Sequence, residues 1–175
     1  LAEQYNFMVV TPLGYTRKGW YGAWSKGLDE RSLEREGPFS EKDVMNVLRL
    51  TRENYSIDAN NIFLWGHSMG GAGTYHLGME HPELWKALAL AAPAPPQVRD
   101  VKDLKIIEDI PILVIQGTKD RLVYPTREWV AEMKRLEMNY IYDEIVGADH
   151  SFFVSKNKEN MKKIFNFFAE HRDQG

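Results

Sequence analysis

Three side chains far apart in this sequence carry the groups needed to pass one proton: the hydroxyl of Ser68, the carboxylate of Asp120 and the imidazole of His150. Ser68 lies in Gly66-His67-Ser68-Met69-Gly70, between the apolar run at 62–65 and the small-residue stretch at 71–77. Asp120 closes Gly117-Thr118-Lys119-Asp120, and His150 closes Gly147-Ala148-Asp149-His150. A serine hydroxyl is a weak nucleophile at neutral pH and needs a base to take its proton. A histidine can do this and then hand the proton to a leaving group. A carboxylate on the other ring nitrogen sets the tautomer and stabilises the imidazolium. The oxyanion formed by attack needs fixed N–H donors, and the backbone N–H of Met69, at a helix start, is the first candidate.

Each residue also has a plainer reading. Ser68 could cap a helix after a glycine-rich turn, and Asp120 could serve its own turn by local hydrogen bonding. What separates the readings is context. A strand, a Gly-flanked serine and a small-residue helix form a nucleophile elbow, in which residues two before and two after the serine are expected to collide unless they are glycine. Asp149 adjoins His150 and would need another loop geometry, and Asp143 falls within a strand. His67 supports the turn or borders a pocket. His76 and His81 read as structural, and His171 as a solvated helix end. No histidine or carboxylate cluster has metal-ligand spacing, so no metal and no cofactor is expected.

The elements that must hold these groups are legible from periodicity. Apolar runs at 7–11, 62–65, 86–91, 111–116 and 140–146 read as strands. Residues 1–6 read as the tail of a helix. Helical spacing follows Ser40 to about Tyr55, with Ser40-Glu41-Lys42-Asp43 resembling a capping box and Asp43 serving the first turn. It recurs from the elbow to Glu80, from Thr126 to Glu137, and in a last amphipathic helix with Met161, Ile164, Phe165 and Phe168. A short helix falls within 97–109. Alternating strands and helices imply an α/β fold: one domain over residues 1–175, with a mostly parallel central sheet of about five strands flanked by helices on both faces. In such a sheet reactive groups gather beyond the carboxyl ends of strands, where Ser68, Asp120 and His150 all fall. The loop at 12–39 carries Tyr15, Trp20, Tyr21 and Trp24. These aromatics either line a substrate pocket, with Trp20, Tyr21, Trp24 and His67 as candidate substrate contacts, or pack down as a plug.

Composition narrows the function classes. The 175 residues are 43% hydrophobic, enough for a substantial core, and the formal charge is −3 with acids and bases mixed. No basic face points to nucleic acid, and no apolar run reaches the length of a membrane span. Without cysteine there is no disulfide and no thiol nucleophile, although the compartment stays open. No signal peptide is visible, and a chain opening on Leu1 leaves room for a removed leader.

Together Gly66-His67-Ser68-Met69-Gly70-Gly71, Gly117-Thr118-Lys119-Asp120 and Gly147-Ala148-Asp149-His150 resemble the α/β-hydrolase superfamily over nearly the whole chain. The sequence is most similar to small esterases of the feruloyl-esterase and polyhydroxybutyrate-depolymerase type and to related peptidases. The resemblance implies Ser68 as nucleophile, Asp120 as acid and His150 as base, acting on a small or short-acyl ester. A peptidase or a non-catalytic ligand-binding domain of the same fold is the alternative. The five strands correspond to the family's fourth through eighth. The third strand, normally between the fourth and fifth, is not seen, nor is the loop after it that supplies a second oxyanion donor. The chain then reads as a fragment or a reduced hydrolase, with a backbone N–H near Leu13, Gly14 or Tyr15 standing in. About 20 residues between the strands at 86–91 and 111–116 leave no room for a lid. A sheet edge exposed by missing strands could pair with another copy, so a homodimer is an expectation.

Overall fold

The apolar runs build a four-stranded parallel sheet in a computed structural model that describes residues 1–16, 18–23, 30–151 and 157–173, with the backbone alone at 30–34. The strands are β1 (Phe63–His67), β2 (Ala87–Ala91), β3 (Ile112–Gly117) and β4 (Tyr140–Ile145), in the order β1-β2-β3-β4. Phe63 stands opposite Ala87, Leu88 opposite Ile112, and Ile112 opposite Tyr140. The helices are α1 (Glu30–Asn54), α2 (Met69–Glu80), α3 (Val123–Arg135) and α4 (Lys158–Glu170).

β2 shows how the sequence sorts the two faces. Its Ala-Leu-Ala-Leu-Ala run is buried throughout, and period-2 alternation sends leucines one way and alanines the other. Leu88 and Leu90 join Ile112 and Val114 under Tyr75 and Leu77 of α2, Trp129 and Met133 of α3, and Val44 of α1. On the other face Ala87 and Ala89 are small enough to admit Phe167 and Phe168 of α4 beside Leu113 and Ile115. The Phe168 ring stacks on Phe63 with centroids 4.8 Å apart. Helices therefore cover both faces, as expected for a parallel sheet.

The expected strand at 7–11 does not form, so among the described residues the sheet has four strands rather than five. Met8, Val9 and Val10 have strand-like side chains, yet they are 52%, 47% and 45% exposed. The cause is the missing neighbour. Ile62 accepts from Lys86 N–H, and Ser68 donates to Ala91, so alternate residues of β1 face β2. Phe63, Trp65 and His67 then turn their peptide groups to the outer edge, which has no strand partner among the described residues. A cavity of about 1070 Å³ lies there, lined by Phe7–Val10 on one side and Ile62–Trp65 on another. Without a ladder on either side, composition alone does not make residues 7–11 a strand.

The helix expected from Ser40 begins at Glu30 and runs through Pro38. Ser40 and Asp43 are consequently inside the helix and serve the preceding loop instead of a cap. Ser40, fully buried, accepts from Tyr21 N–H at 2.9 Å and donates to the Gly14 carbonyl. The carboxylate of Asp43 accepts from Gly14 and Tyr15 N–H at 2.9 and 3.2 Å. At the N-terminus the helix tail is a single short turn, Glu3–Tyr5. The short helix between β2 and β3 is Val101–Ile107, pinned to the core by Leu104 and Ile107.

Candidate active site

Ser68 is the single residue between β1 and α2, and it takes φ 57° and ψ −113°. A non-glycine residue there stores about 1–3 kcal/mol of strain, which persists only if the surroundings hold it. They do so through the main chain. Ser68 N–H donates to Ala91, while its carbonyl accepts from Ala72 and Ala94 at 3.2 and 3.0 Å. The flanking glycines are unequal. A Cβ on Gly66 would run into the carbonyl of Gly70, whereas one on Gly70 would meet nothing within 4 Å. The expected symmetric need for glycine thus holds only on the strand side. Gly71 is the tighter position on the helix side, because a Cβ there would come within 2.7 Å of Pro93 Cα.

Asp120 stands in the turn after β3 and is 3% exposed. One carboxylate oxygen accepts from Leu122 N–H at 2.9 Å, and the other meets His150 Nδ1 at 2.7 Å. Burial pushes its pKa up, but hydrogen bonds from Leu122 N–H, His150 and Gln116 outweigh that and leave it below the usual range. Gln116 is itself held by the Thr126 hydroxyl, which donates to its Oε1 at 2.9 Å.

His150 arrives by a clasp between two loops. Thr118 N–H donates to Ile145, Lys119 N–H to Ala148, and Gly147 N–H to the Thr118 hydroxyl at 2.8 Å. Gly147 has φ +79°, and a Cβ on Gly117 would strike the Ala148 carbonyl. The clasp thus depends on glycine in both loops. It brings His150 Nε2 to 2.8 Å from Ser68 Oγ. With Asp120 ionised, Nδ1 carries the ring proton and donates to it, so Nε2 is free to accept the serine hydroxyl. The His150 side chain is 36% exposed and that of Asp120 fully buried. The relay is thus open to solvent at one end and dry at the other.

His67, expected to support the turn or border a pocket, reaches across to the loop that carries His150. Its Nε2–H donates to the main-chain carbonyl of His150 at 2.9 Å, and the two rings lie 4.8 Å apart. Burial is the main reason its pKa is lowered. The hydrogen bond to His150 and the charge of Asp120 pull it back up, and the charge of His150 pushes it down.

The amide of Met69 opens α2, where no helical carbonyl precedes it to accept its N–H. Of the expected stand-in donors, the amides of Gly14 and Tyr15 are taken by Asp43, and Leu13 beside them is 84% exposed. A helix residue 29 positions away spends these donors on anchoring the loop. Of the loop aromatics, Trp20 packs with Ala72, Ala94 and Leu122, next to the main chain that holds Ser68 and Asp120. Tyr21 packs over Gly73 as a plug, since a Cβ there would lie 2.7 Å from its own Cβ. Trp24 lies outside the described residues.

His76 and His81 are structural, as expected. Both meet the carboxylate of Glu41, at 2.8 and 3.3 Å, tying α2 to α1. Above all its hydrogen bond with His76 lowers the pKa of Glu41. His171 Nδ1–H closes α4 on the Phe167 carbonyl. Sequence reasoning missed Thr118, Gln116 and Thr126. Their only signal was position, at or just past the end of β3 and early in α3.

Residues 40–105 match the family model described as "Serine aminopeptidase, S33". Comparison by sequence with curated proteins finds no match. Among solved structures, a thermostable esterase is 27% identical with a TM-score of 0.56, over 77% of this chain and 34% of that one. SOBER1 of Arabidopsis thaliana is 20% identical with a TM-score of 0.61, over 82% and 66%. A ferulic acid esterase is 15% identical with a TM-score of 0.63, over 76% and 61%. The chain spans a third of the first structure's length and about two-thirds of the others'. Its fold is that of the esterase-like α/β hydrolases.

Proposed function

We propose that the chain is a serine hydrolase acting on small or short-acyl carboxylic esters through an acyl-enzyme. The observation that carries this reading is the unbroken hydrogen-bond chain from Ser68 Oγ through His150 to Asp120 at the ends of three different strands. Ser68 attacks the ester carbonyl as His150 Nε2 takes its proton, and Asp120 stabilises the imidazolium. The Met69 N–H receives the oxyanion. His150 then protonates the leaving alkoxide, and water, deprotonated by the same nitrogen, releases the acid and regenerates Ser68. Trp20 at the rim favours aromatic or short acyl groups. The stretch between β2 and β3 is anchored by Leu104 and Ile107, which supports a site without a lid. Ser68→Ala is expected to lower p-nitrophenyl acetate turnover by about 1000-fold or more. Turnover near wild type would remove Ser68 from its role.

The family-model match favours a second reading, a serine peptidase with the same relay. Amide cleavage demands protonation of a poorer leaving group. Rates on an ester and its matching amide separate the two readings: the esterase reading expects the ester alone to turn over readily, and a comparable amide rate favours the peptidase.

A further inference from the structure

We propose that His67 is a positioning residue for the base, a neutral hydrogen-bond donor that fixes the main chain of His150 from the strand end that also carries Ser68. This rests on the roles given above to Ser68 and His150. The clasp ties the β4 loop as far as Ala148, through Lys119 and Thr118. Beyond it, Ser151 N–H bonds the side chain of Asp149 within the loop. At His150 itself the side chain reaches Asp120 and Ser68, and the main-chain carbonyl accepts from His67 Nε2–H. An imidazole ring tethered only by its own catalytic bonds can swing when one of them is used. A third point of attachment on its backbone prevents that.

The attachment comes from the residue immediately before Ser68. The strained elbow therefore sets the nucleophile and, one residue back, the height of the base above it. The 2.8 Å between Ser68 Oγ and His150 Nε2 is fixed from both sides by a single strand end. Neutrality matters as much as reach. The His67 ring lies 4.8 Å from one that becomes cationic during attack, and a permanent charge there would oppose that step. Burial lowers the pKa of His67 below its ordinary value, which favours the uncharged ring. Among the described residues, the charged groups beside the pair include Asp120, bonded to His150, and the adjacent Asp149.

Three variants separate reach from charge. His67→Phe removes the donor and stays neutral; kcat is expected to fall about 10- to 100-fold with KM within about twofold, the scale of a misplaced catalytic group. His67→Gln restores a neutral donor and is expected to recover most of that loss. His67→Lys keeps a donor but adds charge, and is expected to move the acid limb of the kcat/KM profile about one pH unit toward acid. The low-field proton resonance of His150 Nδ1–H provides a readout that needs no turnover: sharp in the wild type and in His67→Gln, broadened or lost in His67→Phe. Wild-type kcat and resonance in His67→Phe, a Gln variant as impaired as Phe, or an unmoved acid limb in Lys would each overturn the proposal. If His67→Phe does not fold, Gln and Lys decide it. If the wild type neither turns over esters nor reacts with a fluorophosphonate, the hydrolase reading has failed, and the resonance still reports whether His67 holds the loop.

Discussion

The rim of the sheet and the segment before α1 are built from similar materials and behave differently. At the rim, close neighbours hold the tight turns at Gly66, Ser68 and Gly117. Gly66 lies under Gly70, Gly117 under Ala148, and Ser68 is held through Ala72, Ala91 and Ala94. In the front segment, Phe7-Met8-Val9-Val10-Thr11 has the composition of a buried strand and no strand partner among the described residues. Local chemistry proposes a conformation, and a ladder or a close contact decides whether it is kept.

The largest expected effect tests whether contact rather than motif sets the glycines of the elbow. Gly66→Ala places a methyl against the Gly70 backbone and is expected to cost about 3 kcal/mol or more in urea unfolding. Gly70→Ala adds a methyl in open space on a helix and is expected to be neutral or stabilising by up to about 1 kcal/mol. Equal costs would mean that the motif's symmetry outweighs the contacts.

The next contrast sets β3 against the front segment. Val114 is fully buried between β2 and β4, and Val114→Ala is expected to cost about 2 kcal/mol. Val9→Ala, the same substitution at a half-exposed position, is expected to change stability by less than about 0.5 kcal/mol. A comparable loss at Val9 would place that segment in the cooperative core.

The smallest effect is in pH. Asp120 is held below its ordinary value of 3.8 in the folded chain. Between the folded and unfolded values the unfolded chain binds more protons, so this contribution is complete above about 3.8 and is lost as pH falls through the folded value. Unfolding free energies compared between wild type and Asp120→Asn are expected to converge as pH drops below about 4. A constant difference across that range would remove Asp120 from the acid sensitivity.

The difference between the two regions also marks what could be read from the chain. The relay was legible because strand ends are legible: Ser68, Asp120 and His150 each follow an apolar run and a turn, and parallel strands deliver their ends to one rim. The sorting of β2 into leucine and alanine faces follows from period-2 alternation alone. What was not legible depends on partners distant in sequence. Ser40 and Asp43 look like a helix start until Gly14, Tyr15 and Tyr21 claim their side chains. For the same reason the N–H groups of Gly14 and Tyr15, expected as stand-in oxyanion donors, are already engaged. Nothing local distinguishes Thr118 as the hydroxyl that joins the β3 and β4 loops, nor His67 as a tether for another residue's carbonyl.

We propose that Ser68, His150 and Asp120 share one proton path that makes this hydroxyl a nucleophile. Reaction of the folded protein with a fluorophosphonate, with the adduct located by peptide mass spectrometry, tests it most directly. A single adduct on Ser68 is expected, its rate of formation collapsing in His150→Ala; an unlabelled protein, an adduct on another residue, or labelling indifferent to His150 would rule that path out.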